Sequence, residues 1–343
     1  MQIVRWGIIG CGNVTEVKSG PAFNMTPRSR LVHVMRRQGE LARDYARRHG
    51  VPAWSDNADN LLRDPQVDAV YVATPPGNHL EYALACAAAG KPCYVEKPMA
   101  RNHDECMRMV AVFEAAKVPL FVAYYRRALP RFLKIKELID SGTLGALRHV
   151  HVSQDHLPEP EDGKPELRAW RLKPAISGGG RFLDLASHTL DALDFLFGPI
   201  ESVNGLAKNL AGLYSPEDFV SGTFQFSSGL AGSGNWCYCA GVNREYVELI
   251  GERGLLRFSI FGNAPLELIH NTDTQSIDAP NPVHIQQPLI QTIVEDLTGT
   301  GRCPSTGASA SRTTWVMDRF LAGFRSKQAS NPDACFIGQP ACP

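Results

Sequence analysis

Along the first 123 residues, short apolar runs alternate with longer segments whose apolar positions recur at helical spacing. Runs at 3–9, 31–35, 67–73, 92–95 and 119–123 predict strands, and the segments 13–25, 40–49, 78–89 and 102–116 predict helices, two of them closed by Gly50 and Gly90. Repeated strand and helix units of this length imply an α/β domain built on a doubly wound parallel sheet. From about Tyr124 the pattern changes. After helices near 132–139 and 182–197, apolar runs at 219–226, 230–238, 246–250 and 255–259 predict strands, and Ser227-Ser228-Gly229 and Glu252-Arg253-Gly254 read as hairpin turns between them. Helices at 285–297 and 309–326 then precede a tail containing Pro332, Pro340 and Pro343. The expected organisation is a first domain over 1–123, a second, sheet-based domain over 124–330 and a tail over 331–343.

Charge narrows the partners. The 343 residues carry 35 Lys plus Arg against 35 Asp plus Glu, so no net field favours nucleic acid or an anionic membrane surface. The apolar stretches fall short of the roughly 18 residues a spanning helix needs, and no leader pattern opens the chain. Nine cysteines, an odd number with no Cys-x-x-Cys pair, suit reduced thiols in a cytoplasm. Cys237 and Cys239 share a strand face, and an extended strand keeps such neighbours from a normal disulfide. His149, His151, Asp155 and His156 are metal-ligand types, but alternating strand positions supply no third fixed ligand, so no metal site is expected.

The candidate chemistry begins at the first strand's end. Gly10 and Gly12, followed by Asn13 and Val14, allow a tight turn whose backbone N–H groups approach a pyrophosphate, as in a Rossmann fold; Thr15 stands at the third glycine position. Where an NAD enzyme places an acid against the ribose 2′-hydroxyl, this chain has Arg36 and Arg37. Guanidinium groups pair with a 2′-phosphate, which points to NADP rather than NAD. Thr74-Pro75-Pro76 with His79, and Glu96-Lys97-Pro98, lie at the carboxyl ends of later strands, the edge at which open α/β sheets bind ligands.

These segments, with Arg126-Arg127 and the run from Gly178-Gly179-Gly180 through Asp184, His188 and Asp191, resemble the glucose-fructose oxidoreductase / inositol 2-dehydrogenase (Gfo/Idh/MocA) family across nearly the whole chain. The resemblance implies an N-terminal Rossmann domain followed by a substrate-binding and oligomerisation α/β domain with a large open, mainly antiparallel sheet. That sheet would form the interface of a homodimer or higher homo-oligomer, covering an apolar face. Thr15 and the arginine pair depart from the family pattern and bear on cofactor choice.

Read through the resemblance, Gly10, Gly12, Asn13, Val14, Arg36, Arg37, Thr74, Pro75, His79, Glu96, Lys97, Trp170 and Arg171 contact the cofactor, and Tyr125, Asp184 and His188 the substrate. Lys97, Asp184 and His188 form the catalytic set. His188 can exchange a proton near neutral pH, Lys97 can stabilise charge on the reacting oxygen, and Asp184 can orient either partner. Lys97 remains the competing proton donor. The expected activity is NADP(H)-linked hydride transfer to or from a carbonyl or hydroxyl of a sugar, polyol or cyclic diol; a catalytically silent, cofactor-binding regulator of sugar metabolism is the alternative.

Overall fold

The computed structural model describes residues 2–166 and 169–330, so the expected tail over 331–343 lies outside the described residues. The chain divides into two compact units. The first runs to Ile135 and takes in Pro280–Thr314; the second comprises Lys136–Ala279 and the chain from Trp315.

The first unit is built on six parallel strands: β1 (Val4–Ile9), β2 (Ser29–Met35), β3 (Ala53–Ser55), β4 (Ala69–Val72), β5 (Cys93–Val95) and β6 (Leu120–Val122). Their order is β3-β2-β1-β4-β5-β6, the doubly wound arrangement with a switch point between β1 and β4. The central strands are buried on both faces, which is why they read as continuous apolar runs. On one side Val70, Val72, Cys86, Met109 and Phe113 join one core. Another group is aromatic: Trp6 meets Phe23 at 4.9 Å, and Tyr71 stacks on Tyr94 at 4.8 Å between ring centroids.

One expectation for this unit is corrected. The single helix over 13–25 is two short pieces, Asn13–Val17 and Gly20–Met25, the second opening with Pro21 in its first turn. The first unit also takes in a later segment of the chain. Residues 280–314 fold back onto the first unit, where Ser305 accepts from the Val122 N–H at 3.2 Å and its hydroxyl donates to the Val122 carbonyl at 2.7 Å. This return covers the β6 edge, whose backbone groups would otherwise lack partners.

The second unit carries eight strands: β7 (Leu147–Asp155), β8 (Ile200–Lys208), β9 (Phe219–Phe226), β10 (Ala231–Cys237), β11 (Arg244–Gly251), β12 (Leu255–Phe258), β13 (Leu266–His270) and β14 (Asp273–Ile277). The order is β14-β13-β12-β11-β7-β10-β9-β8, antiparallel except between β7 and β10. Both expected hairpin turns are present, joining β9 to β10 and β11 to β12. Val150, Val152, Val220, Phe224, Trp236, Val247 and Leu249 point to the buried face. The opposite face is not the apolar one expected. Thr223, Gln225, Asn235, His149 and Arg257 are exposed there, with Ser221, Ser233, His151 and Glu248 half-buried among them. Among the described residues no helix is long and apolar enough to cross a membrane.

Candidate active site

At the end of β1, Gly10 adopts φ +93°, and a Cβ there would lie 2.8 Å from Thr74 Cγ2 and 3.0 Å from Thr74 N. Only glycine fits both the backbone and the space. The N–H groups of Gly10 and Cys11 donate to the Met35 carbonyl at 2.8 and 3.2 Å, closing β1 against β2. Gly12 differs: a Cβ there meets nothing nearer than the Gly10 carbonyl at 3.8 Å, so the protein's own packing does not demand glycine. The open space above Gly12 is the cradle a pyrophosphate needs. Thr74 Oγ1, beside the turn, is buried without a hydrogen-bond partner among the described residues. Both observations fit a dinucleotide.

Thr15 is fully buried; its hydroxyl donates to the Gly12 carbonyl at 2.8 Å and its own carbonyl accepts from Tyr45 Oη–H at 2.8 Å. The close approach expected of a third glycine occurs instead at Gly20, where a Cβ would stand 2.1 Å from the Thr15 carbonyl oxygen. Arg36 reaches back over the turn, Nη1 donating to the Cys11 carbonyl at 3.3 Å. Arg37 lines an open groove of about 490 Å³ with Met35, Asp56, Asp59, Glu81 and Tyr82. Asn13 is exposed and Val14 half-buried on the helix that follows the turn.

Lys97 is half-buried at the end of β5, and its position is set by Glu96. One Glu96 oxygen accepts from Tyr71 Oη–H at 2.5 Å and Gln286 Nε2–H at 2.6 Å; the other accepts from the Lys97 backbone N–H at 3.0 Å. Gln286 in turn accepts from Tyr94 Oη–H at 2.8 Å. His79 is fully buried. Its Nε2 lies 2.6 Å from the Thr74 carbonyl and its Nδ1 3.0 Å from that of Pro98, so it ties the Thr74-Pro75 turn to the turn after Lys97. Burial holds the imidazole below its ordinary pKa, opposed by these carbonyls and by Glu96. Glu96 and His79, both buried, clamp the Lys97 turn through these hydrogen bonds. Tyr125 is buried too, with the Arg126 guanidinium 5.0 Å over its ring.

In the second unit, the Gly178-Gly179-Gly180 run leads into a π-helical turn, Phe182–Ala186, and then the helix Ser187–Phe197. Asp184 lies in the wide turn and His188 in the first turn of the helix, and such insertions recur at functional sites. Asp184 Oδ2 accepts from Arg171 Nε–H at 2.9 Å, while the Arg171 guanidinium covers the Trp170 ring at 4.5 Å. The structure therefore joins Trp170, Arg171 and Asp184 in one cluster. His188 is buried, its ring edge-on to Phe261 at 5.7 Å. Beneath the glycine run, Glu217 Oε1 accepts from the Gly180 N–H at 3.1 Å, and Arg325 Nη2 donates to the Gly178 carbonyl at 3.1 Å. Glu217 is fully buried, and burial pushes its carboxyl up to about 7, against the opposing Gly180 hydrogen bond and Arg325 charge.

Residues 4–124 match the oxidoreductase family with an NAD-binding Rossmann fold, and residues 132–257 match the Gfo/Idh/MocA C-terminal domain. The chain belongs to the Gfo/Idh/MocA family. Oxidoreductase P35 of Formosa agariphila is 40% identical over 92% of this chain and 98% of that protein. The 1,5-anhydro-D-fructose reductase of Ensifer adhaerens is 27% identical over 88% of this chain and 91% of its own length. Levoglucosan dehydrogenase, solved with NADH and levoglucosan, shares the fold at a TM-score of 0.84, with 21% identity and 95% of this chain and 98% of that one covered. As a Gfo/Idh/MocA member the chain is an oxidoreductase.

Three residues that support these segments carry no motif a sequence reading would pick out. Tyr71 is one apolar residue of a buried strand, and Gln286 a polar residue just before a helix. Glu217 had a faint signal, the acidic pair Glu217-Asp218 at the entry to an otherwise apolar strand.

Proposed function

We propose that the chain is an NADP(H)-dependent dehydrogenase or reductase that acts on a carbonyl or hydroxyl of a sugar, polyol or cyclic diol. The observation that carries the cofactor choice is Arg36 folded over the glycine turn at the end of β2, a guanidinium where an NAD enzyme places an acid; Arg37 follows it in a groove it shares with Asp56, Asp59 and Glu81. The names of the relatives, a reductase of an anhydro sugar and a dehydrogenase solved with levoglucosan, support the substrate class.

Bound nicotinamide supplies the hydride donor or acceptor. Gly10 and Gly12 let the backbone approach the pyrophosphate, and Thr74 offers its hydroxyl. Lys97 donates to the reacting oxygen and stabilises its negative charge. His188 moves the proton that must leave or reach that oxygen, with the Lys97 ammonium as the competing donor. Asp184, held by Arg171, orients a substrate hydroxyl. The uncovered face of the second sheet pairs with another copy in a homo-oligomer, a contact made by polar groups. The deciding experiment follows absorbance at 340 nm with NADP(H) and NAD(H) over a panel of aldoses, anhydro sugars, inositols and cyclic diols. Turnover with a preference for NADP(H) supports the proposal. Tight NADPH binding with no turnover across the panel would mark a silent regulator, and a preference for NAD(H) would overturn the cofactor assignment.

A further inference from the structure

We propose that Cys237 and Cys239 are a redox modification site that closes reversibly to an intrachain disulfide. An unbroken strand would hold this pair apart. In the folded chain β10 stops at Cys237, whose carbonyl accepts from the His156 N–H at 2.8 Å, and the backbone bends at Tyr238 and Cys239. The Tyr238 N–H donates to the Asp218 carbonyl at 2.7 Å, which fixes the bend. As a result the two Sγ atoms lie 3.8 Å apart, in contact, and closing the bond to about 2.05 Å needs a shift of less than 2 Å. Both cysteines are half-buried, within reach of small solutes.

The surroundings divide the chemistry between the two thiols. Cys239 hydrogen-bonds Asp218, and burial, followed by that carboxylate's charge, pushes its thiol up to about 12, so it keeps its proton near neutral pH. Attack on an oxidant therefore starts at Cys237. With a hydroperoxide, the Cys237 sulfur takes the terminal oxygen, the O–O bond breaks, and the alkoxide leaves as alcohol carrying the proton the thiol gives up. The Cys239 sulfur, passing its proton to Asp218, then attacks the Cys237 sulfenic acid; the S–O bond breaks and hydroxide departs as water. Two thiols lose two electrons in total, and one hydroperoxide is reduced to alcohol and water. The bridge pins the backbone on both sides of Tyr238, a fully buried ring that feels the charges of Glu217 and Asp184. Cys86 and Cys93 also hydrogen-bond each other, but both are fully buried in the first unit's core, which makes them an internal control.

The test treats the reduced full-length protein with hydrogen peroxide, alkylates free thiols and digests with trypsin. The peptide from Asn209 to Arg244 holds Cys237 and Cys239 and no other cysteine. Its expected form has lost two hydrogens, takes up no alkyl group, and recovers both alkylation sites after dithiothreitol, while Cys86 and Cys93 stay alkylatable once the protein is unfolded. Cys239→Ser should stop at a sulfenic acid on Cys237 that dimedone traps. The proposal is overturned if the treated peptide still takes two alkyl groups, if it gains oxygen without bridging, or if Cys86 and Cys93 oxidise first.

Discussion

Replacing Glu217 by glutamine removes a charge from a site where burial opposes it and leaves a side-chain carbonyl to accept the Gly180 N–H. In the folded chain the carboxyl titrates at about 7, against an ordinary 4.5. Because the folded value is the higher one, the native state holds a proton that the unfolded chain has released between those limits. Stability therefore falls as pH rises through that window, and the whole penalty is in force above about 7. At about 1.4 kcal/mol per pH unit the gap corresponds to about 3 kcal/mol. Asp218, whose carboxylate accepts from the Leu210 and Ala211 N–H groups at 2.7 and 2.8 Å, adds to the penalty; Arg325 reduces it. Near pH 5 the folded parent acid is neutral and most of the penalty has yet to build, so the two proteins should melt close together. At pH 8 the Glu217→Gln protein should be more stable by about 3 kcal/mol, seen as an apparent melting temperature higher by roughly 5 °C or more. The assay is thermal unfolding of both proteins in buffers from pH 5 to 8.5. A difference that does not change with pH, or a variant that loses ground as pH rises, would refute the reasoning.

Arg36→Asp should weaken NADPH binding about 5- to 150-fold, the scale of about one to three kcal/mol for a lost charged partner, with a much smaller effect on NADH in fluorescence titrations. Lys97→Met should lower turnover about a hundredfold while nucleotide affinity stays near the parent's; near-normal turnover would remove Lys97 from the chemistry. His188→Asn should erase one limb of the pH profile of kcat, and a limb kept at the parent's pH would hand the proton to Lys97. Glu96→Gln should lower stability by about 2 kcal/mol or more, read as an earlier unfolding transition; a melting temperature equal to the parent's would contradict the network around it.

The parallel sheet was legible because its strands are apolar on both faces and separated by helical periods. Elements without such a pattern were not. β14, Asp-Thr-Gln-Ser-Ile, is polar and mostly exposed and is a strand only through its backbone pairing with β13. β3 has three residues, too few for any period. The return of 280–314 to the first unit rests on hydrogen bonds such as Ser305 to Val122, which no local pattern announces. For the site, the motifs located the right segments, yet roles within them depended on burial. His79 and Glu96 sit in the motifs beside Thr74 and Lys97, and only the folded chain shows both turned inward. Cys237 and Cys239 looked like strand neighbours because a bend at Tyr238 leaves no mark in the apolar pattern.

Two buried glutamates support the two chemistry-bearing segments, and the same substitution should move them in opposite directions because their partners differ. Glu96 faces three donors: the Tyr71 hydroxyl, the Gln286 amide and the Lys97 N–H. An amide there turns one oxygen into a donor and sets it against the Lys97 N–H or against the Tyr71 and Gln286 donors. A charged acceptor is lost and donors are left facing donors. Glu217 faces two backbone donors, its own N–H and that of Gly180, beside the Asp218 carboxylate, and burial outweighs them, so a neutral amide serves as well. The balance between burial and the donors that meet it decides whether a buried carboxylate steadies its segment as an anion. The Gly180 hydrogen bond itself favours the Glu217 anion, so the penalty of ionising Glu217 comes from its burial and not from that bond. The segment bearing Asp184 and His188 thus begins beside a buried carboxyl whose ionisation, nearly complete above about 7, costs the fold stability that the Gly180 bond only partly offsets.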